Sequence, residues 1–187
     1  LGRLASRVWK LGPRTCGYDI ARAVPIAVAD DITLVHDHYR PRTDGPAPSI
    51  LVRTPYNRAD FFAGFWYRRF AERGYHVIVQ DCRGRFGSSG HFDPFLHERE
   101  DGLATIAWIV AQPWYSGRLG MWGASYNGFT QWAVADSPEL TALTPMNTGS
   151  DFYTAFPPGG AVAFDTLLIW LVFTRDNDDI GARALPA

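Results

Sequence analysis

The sequence predicts an α/β fold, a mainly parallel sheet with helices packed on both of its faces. Three observations carry that expectation. From about residue 49 onward, short apolar runs alternate with longer segments of helical periodicity, the pattern of strand, helix, strand in a parallel sheet. Two of the runs, 49–54 and 75–80, have unbroken apolar centres (Ile50-Leu51-Val52 and Val77-Ile78-Val79), as expected of strands buried on both faces. Finally, a Gly-x-Ser-x-x-Gly stretch stands where a predicted strand meets a predicted helix.

The elements follow in order. Residues 23–28 form an apolar, strand-like run. In 32–39, Leu34, His36 and His38 alternate with Thr33, Val35, Asp37 and Tyr39, a period of two that predicts a second strand. Asp30-Asp31 between them predicts a hairpin. The stretch from Pro41 to Pro48, with Asp44-Gly45 inside it, is a loop. Ser49 to Thr54 is a buried strand stopped by Pro55. Asp60 is placed to cap a helix running to Glu72, and Gly74 to end it. Tyr75 to Gln80 is the next strand, followed by a glycine-rich loop from Asp81 to Gly90. A helix over 98–111 carries Leu103, Ile106, Ala107 and Val110 at helical spacing, ahead of Pro113. A short strand at 118–122, a helix at 125–135, a strand at 140–146 and an apolar helix at 161–173 complete the pattern. No internal repeat is visible.

Composition narrows the function classes. The chain has 187 residues, 47% hydrophobic and 14% aromatic, enough for one domain with a real core. Formal charge is −1, from 18 basic and 19 acidic residues, and Lys10 is the single lysine. That balance argues against nucleic-acid and membrane partners. The apolar run 161–174, broken by Asp165, is shorter than the ~20 residues of a membrane span and reads as a buried helix. Cys16 and Cys82 are too few for a disulfide framework, so a reducing, cytoplasmic setting is expected. The chain starts at Leu1, and no signal segment follows it. A processed or fragmentary N-terminus is therefore expected.

Chemistry concentrates at Gly120-Met121-Trp122-Gly123-Ala124-Ser125-Tyr126-Asn127-Gly128. A serine at a tight strand-to-helix turn is held with its hydroxyl exposed above the sheet, as in the Gly-x-Ser-x-Gly elbow of serine hydrolases. Here the second glycine lies one residue further on. The helix start offers free N–H groups to a developing oxyanion. The bland alternative is a glycine-rich turn with a satisfied serine. A second stretch, Leu51 to Arg58, follows a predicted core strand, where a loop can complete an oxyanion hole. Tyr56 there is either a hydroxyl donor or a packed aromatic. A third, Asp81 to Gly90, is neither a dinucleotide fingerprint nor a Walker loop, and reads as shape-determining. His36 and His38 share a strand face. Two potential ligands without a third make a weak metal site, so an exposed strand face is expected.

These stretches (Leu51 to Arg58, Val77 to Gly90 and above all Trp114 to Trp132) resemble the CocE/NonD serine hydrolases, the family of cocaine esterases and Xaa-Pro dipeptidyl-peptidases. The segment Asp151 to Trp170, with Pro158-Gly159-Gly160, resembles the entry to that family's helical cap. The resemblance implies an α/β-hydrolase core. Residues 1–150 would be its N-terminal part and 151–187 the start of the cap, with the C-terminal core and a jelly-roll domain outside the chain. It implies Ser125 as nucleophile, the Tyr56 hydroxyl as one half of the oxyanion hole and the Tyr126 backbone N–H as the other. Substrates would be esters, acyl amides or Xaa-Pro peptides, with ester hydrolysis favoured. No metal or organic cofactor is implied, and homo-oligomer formation in the intact protein is left open.

A serine nucleophile needs a base. All five histidines (His36, His38, His76, His91 and His97) precede Ser125, whereas the fold's chain order is serine, acid, histidine. Asp176, Asp178 and Asp179 follow the cap helix too closely to be the acid. The chain alone is therefore expected to be a poor hydrolase and poorly soluble, the remaining triad members coming from later sequence. The alternatives are a catalytically inactive binding module and one half of a split enzyme.

Overall fold

A computed structural model describes residues 9–29 and 31–151, together with 164–165, 167–172 and 174 of a final helical stretch. Its nine described elements are β1 (Tyr18–Ala29), β2 (Ile32–Pro41), β3 (Ala47–Thr54), α1 (Phe61–Ala71), β4 (His76–Asp81), α2 (Glu98–Val110), β5 (Tyr115–Ala124), α3 (Tyr126–Trp132) and β6 (Leu140–Met146). The strands form one sheet in the order β1-β2-β4-β3-β5-β6. β1 pairs antiparallel with β2, and β2 with β4. β3 pairs parallel with β4 and β5, and β5 with β6. The expected mainly parallel sheet is thus present, preceded by an antiparallel hairpin.

Period-two alternation divides the core between the two faces. Ile50, Val52, Val77 and Val79 meet Tyr67 and Ala71 of α1 on one side. Leu51, Ile78, Leu119 and Met121 meet Ile106 and Ile109 of α2 and Val134 on the other. Every residue of β4 is buried, which is why its centre, Val77-Ile78-Val79, is apolar without a break. Full burial of each such side chain contributes roughly 1.5–3 kcal/mol.

Several boundaries differ from expectation. β1 starts five residues early, because 18–22 pairs through its backbone despite a mixed side-chain pattern; a register shift between Ala21 and Val24 marks the irregularity. β5 is likewise longer at both ends. α1 starts directly after Asp60, whose carbonyl accepts the Gly64 N–H at 2.9 Å. The loop after β4 is tied to β2: the Val35 N–H donates to Ser88 Oγ at 2.9 Å and the Ser89 N–H to the Thr33 carbonyl at 2.8 Å.

The exposed strand face expected for His36 and His38 is a correction. Both are buried, at 0% and 2% exposure. The tryptophans around α2 cover them: Trp108 meets His36 edge-on at 5.0 Å, and Trp114 lies 4.6 Å from His38. His38 Nε2 and His76 Nδ1 are 2.9 Å apart, so one ring donates and the other accepts. Burial favours the neutral imidazole and pulls His36, His38 and His76 down to about 4, 3 and 4. Pro158 to Gly160, the aspartates at 176, 178 and 179, and most of the expected cap segment lie outside the described residues. No described helix is long and apolar enough to cross a membrane. Both cysteines are free.

Candidate active site

Ser125 is the hinge between β5 and α3. Expected as the first residue of a helix over 125–135, it stands just outside a shorter one, at φ 58° and ψ −127°. A non-glycine residue in that region is strained, and the surrounding contacts have to hold it there. They do so from both sides. The Ser125 N–H donates to the Met146 carbonyl at the end of β6, at 2.9 Å. The Ser125 carbonyl accepts from the Gly128 and Phe129 N–H groups at 2.8 and 3.1 Å, starting the helix. The side chain is left exposed.

The two flanking glycines make this turn sterically accessible. Gly123 has φ 149°, and a Cβ there would lie 2.5 Å from Asn127 Cβ. A Cβ on Gly128 would lie 2.4 Å from Thr148 Cγ2. Both distances are below any real carbon contact, so each position requires glycine for close approach. The extra residue between serine and the second glycine therefore leaves the elbow intact.

Tyr56 comes from the loop after β3. Its backbone N–H is held by Thr54 Oγ1 at 3.1 Å, and its hydroxyl is 3.2 Å from Ser125 Oγ. The structure thus brings together two of the residues singled out in sequence, 69 positions apart. Tyr126, the third, contributes its backbone. As the first residue of α3, its N–H has no intrahelical acceptor. Its side chain points the other way and is buried. The phenol donates to Glu98 Oε1 and accepts from the Phe95 N–H, both at 2.8 Å. Burial, reinforced by the Glu98 carboxylate, pushes its ionisation well above the usual tyrosine range, so it remains a neutral anchor.

Beneath that anchor lies a network that sequence reasoning missed. Arg53, fully buried on β3, pairs with Glu98 at 2.8 Å and donates to Gln80 Oε1 at 2.9 Å. Asp101 is 3.6 Å from the same guanidinium. A lone arginine inside an apolar strand was the available signal, since a buried charge requires a partner. Trp170, read as part of an apolar helix and of the segment resembling the cap entry, is a second omission from the site. Its indole N–H donates to the Tyr56 hydroxyl at 3.0 Å.

Histidines 91 and 97 stay at the rim. His91 is exposed, 3.8 Å from Asp93; His97 precedes α2, 3.9 Å from the same carboxylate. Among the described residues no histidine hydrogen-bonds to Ser125. No group of three or more His, Cys, Asp or Glu among the described residues is arranged to hold a metal.

Comparison with known proteins places the chain among hydrolases of known family. Cocaine esterase from Rhodococcus sp. (strain MB1 Bresler) is 40% identical over 163 residues, which cover 82% of this chain and 28% of that protein. The chain therefore spans less than a third of that relative's length. A crystal structure of a CocE/NonD family hydrolase from Staphylococcus aureus superposes with a TM-score of 0.69 at 22% identity, covering 88% of this chain and 34% of that one. An α-amino acid ester hydrolase superposes at 0.59 with 27% identity, covering 73% of this chain and 27% of that one. The fold is that of an α/β-hydrolase core. A family model described as X-Pro dipeptidyl-peptidase (S15 family) matches residues 30–186, and the chain belongs to that family.

Proposed function

We propose that this chain carries the nucleophile and oxyanion hole of a serine hydrolase that acts on carboxylic esters, with acyl amide or Xaa-Pro bonds as the related substrate classes. The observation that carries the reading is Ser125, exposed and strained at the strand-to-helix elbow with the Tyr56 hydroxyl 3.2 Å from its Oγ. Ser125 Oγ attacks the substrate carbonyl carbon and loses its proton to a histidine base. The carbonyl oxygen becomes an oxyanion, held by the Tyr56 O–H and the Tyr126 N–H. Collapse expels the alcohol, which takes the proton back, and leaves an acyl-enzyme on Ser125. Water, activated by the same base, then releases the acid. No cofactor enters these steps. The acid and histidine of the triad are assigned to sequence outside these 187 residues, because no histidine follows Ser125 within them. The 40% identity to a cocaine esterase supports an ester as substrate.

The test is hydrolysis of 4-nitrophenyl acetate by the full-length product of this reading frame and its Ser125→Ala variant. The expected result is a loss of at least about 10³-fold in kcat, the scale of losing a triad member. Turnover retained in Ser125→Ala would contradict the assignment.

A further inference from the structure

Trp170 lies beside the proposed site. It contacts both halves of the proposed oxyanion hole at once. Its indole Nε1–H is 3.0 Å from the Tyr56 hydroxyl. Its ring lies 5.8 Å from that of Tyr126, tilted by 8°, and 5.9 Å from Phe95, tilted by 22°. Phe95 is also stacked on Tyr126, at 5.1 Å, and its N–H holds the Tyr126 phenol.

The direction of the indole bond is fixed by chemistry. An indole nitrogen donates and cannot accept. Tyr56 must therefore accept from Trp170, and its one phenolic proton is not spent there. Ser125 Oγ lies 3.2 Å away, so that proton is placed beside the carbon under attack, whose carbonyl oxygen becomes the oxyanion. A hydroxyl that accepts one hydrogen bond is polarised into a better donor for the next, by roughly 10–30% per bond. The stacked ring meanwhile holds Tyr126, the residue supplying the second donor.

We propose that Trp170 is a positioning residue for the oxyanion hole. Its N–H aims and polarises the Tyr56 hydroxyl, and its ring clamps Tyr126. This rests on the reading of Ser125 as nucleophile and Tyr56 as donor. The N–H acts through Tyr56, so its effect disappears when the Tyr56 hydroxyl is gone.

The test is a double-mutant cycle in the full-length product, assayed on 4-nitrophenyl acetate. Trp170→Phe keeps an aromatic ring and removes the N–H. The expected result is a fall of about 2–10-fold in kcat, the scale of one hydrogen bond, with KM nearly unchanged. In a Tyr56→Phe background the same substitution leaves kcat unchanged. Equal losses in both backgrounds, or no loss in either, overturn the role of Trp170 while leaving the nucleophile reading intact. A Tyr56→Phe variant with full activity overturns the oxyanion reading and this inference with it. A second measurement does not depend on turnover or on the folding of a tryptophan variant. In the full-length product labelled with 15N-tryptophan, Tyr56→Phe is expected to shift the Trp170 indole N–H resonance upfield and speed its exchange with deuterium. An unmoved resonance overturns the hydrogen bond on which the proposal stands.

Discussion

In the proposed reaction the chemistry rests on Ser125 and Tyr56, and Ser125 is held in a strained conformation 3.2 Å from the Tyr56 hydroxyl. Removing the Tyr56 hydroxyl leaves the oxyanion one donor short. Tyr56→Phe is therefore expected to lower kcat by about 10²-fold, with the fold unchanged by circular dichroism. An effect confined to KM would instead point to substrate packing. Around them, the sequence revealed more of the reactive groups than of their supports. Ser125 is legible because glycine spacing, a preceding strand and a following helix are all local signals. Tyr56 was open between donor and packed aromatic, and its distance to Ser125 settles where it sits. Glu98 and Trp170 act through contacts of 28 and 114 residues' separation, which no local pattern encodes.

At the scale of elements, the elbow depends on how closely β5, α3 and the segment after β6 approach. Gly128 faces Thr148 with no room for a methyl group. Gly128→Ala is expected to destabilise the fold by about 1–3 kcal/mol, lowering Tm by roughly 2–4 °C for each kcal/mol. Calorimetry checks this, and an unchanged Tm would mean that the helix shifts freely. The buried pair under Tyr126 is the second support. Arg53→Met would leave the buried Glu98 without its cation, at about 3–5 kcal/mol, while Asp101 keeps its pair with Arg83. Chemical denaturation reads that loss directly; a midpoint close to that of the parent chain would show the pair to be dispensable. Strands β3 and β4 were readable because burial on both faces leaves an unbroken apolar centre, Ile50-Leu51-Val52 and Val77-Ile78-Val79. The start of β1 was not, because strand pairing there is a backbone property carried by mixed side chains. The end of α3 was overextended for a related reason: residues 133–135 turn rather than continue the helix, while Val134 still packs into the core.

Across the whole molecule, buried titratable groups set the response to acid. His36, His38 and His76 are held neutral in the fold to about pH 4, 3 and 4, against an ordinary value of 6.5. Below 6.5 the unfolded chain takes up protons that the folded chain refuses. Stability from these three is complete above pH 6.5 and falls as pH drops toward 4, by on the order of 1.4 kcal/mol per histidine for each unit crossed. Asp81 works the other way. Burial raises it to about 7, opposed by the Arg58 guanidinium, so its contribution is largest below its ordinary value of 3.8 and is lost as pH rises through 7. Three histidines outweigh one aspartate, and the midpoint of urea unfolding is expected to fall steadily from pH 6.5 to 4.5. A flat or rising midpoint over that range would mean that the histidine cluster opens to water without unfolding. The sequence showed these histidines on a strand but not the tryptophans that bury them, since Trp108 and Trp114 arrive from α2 and the turn beyond it. The parallel sheet and its two covered faces were legible because hydrophobic periodicity reports burial directly.

In the proposed reaction Ser125 forms the acyl-enzyme. The most direct measurement is peptide mass mapping of the full-length product after reaction with a fluorophosphonate ester, beside the Ser125→Ala variant. The expected result is one adduct, on the peptide containing Ser125, and none in the variant. An adduct on another residue, or equal labelling of the variant, would contradict it.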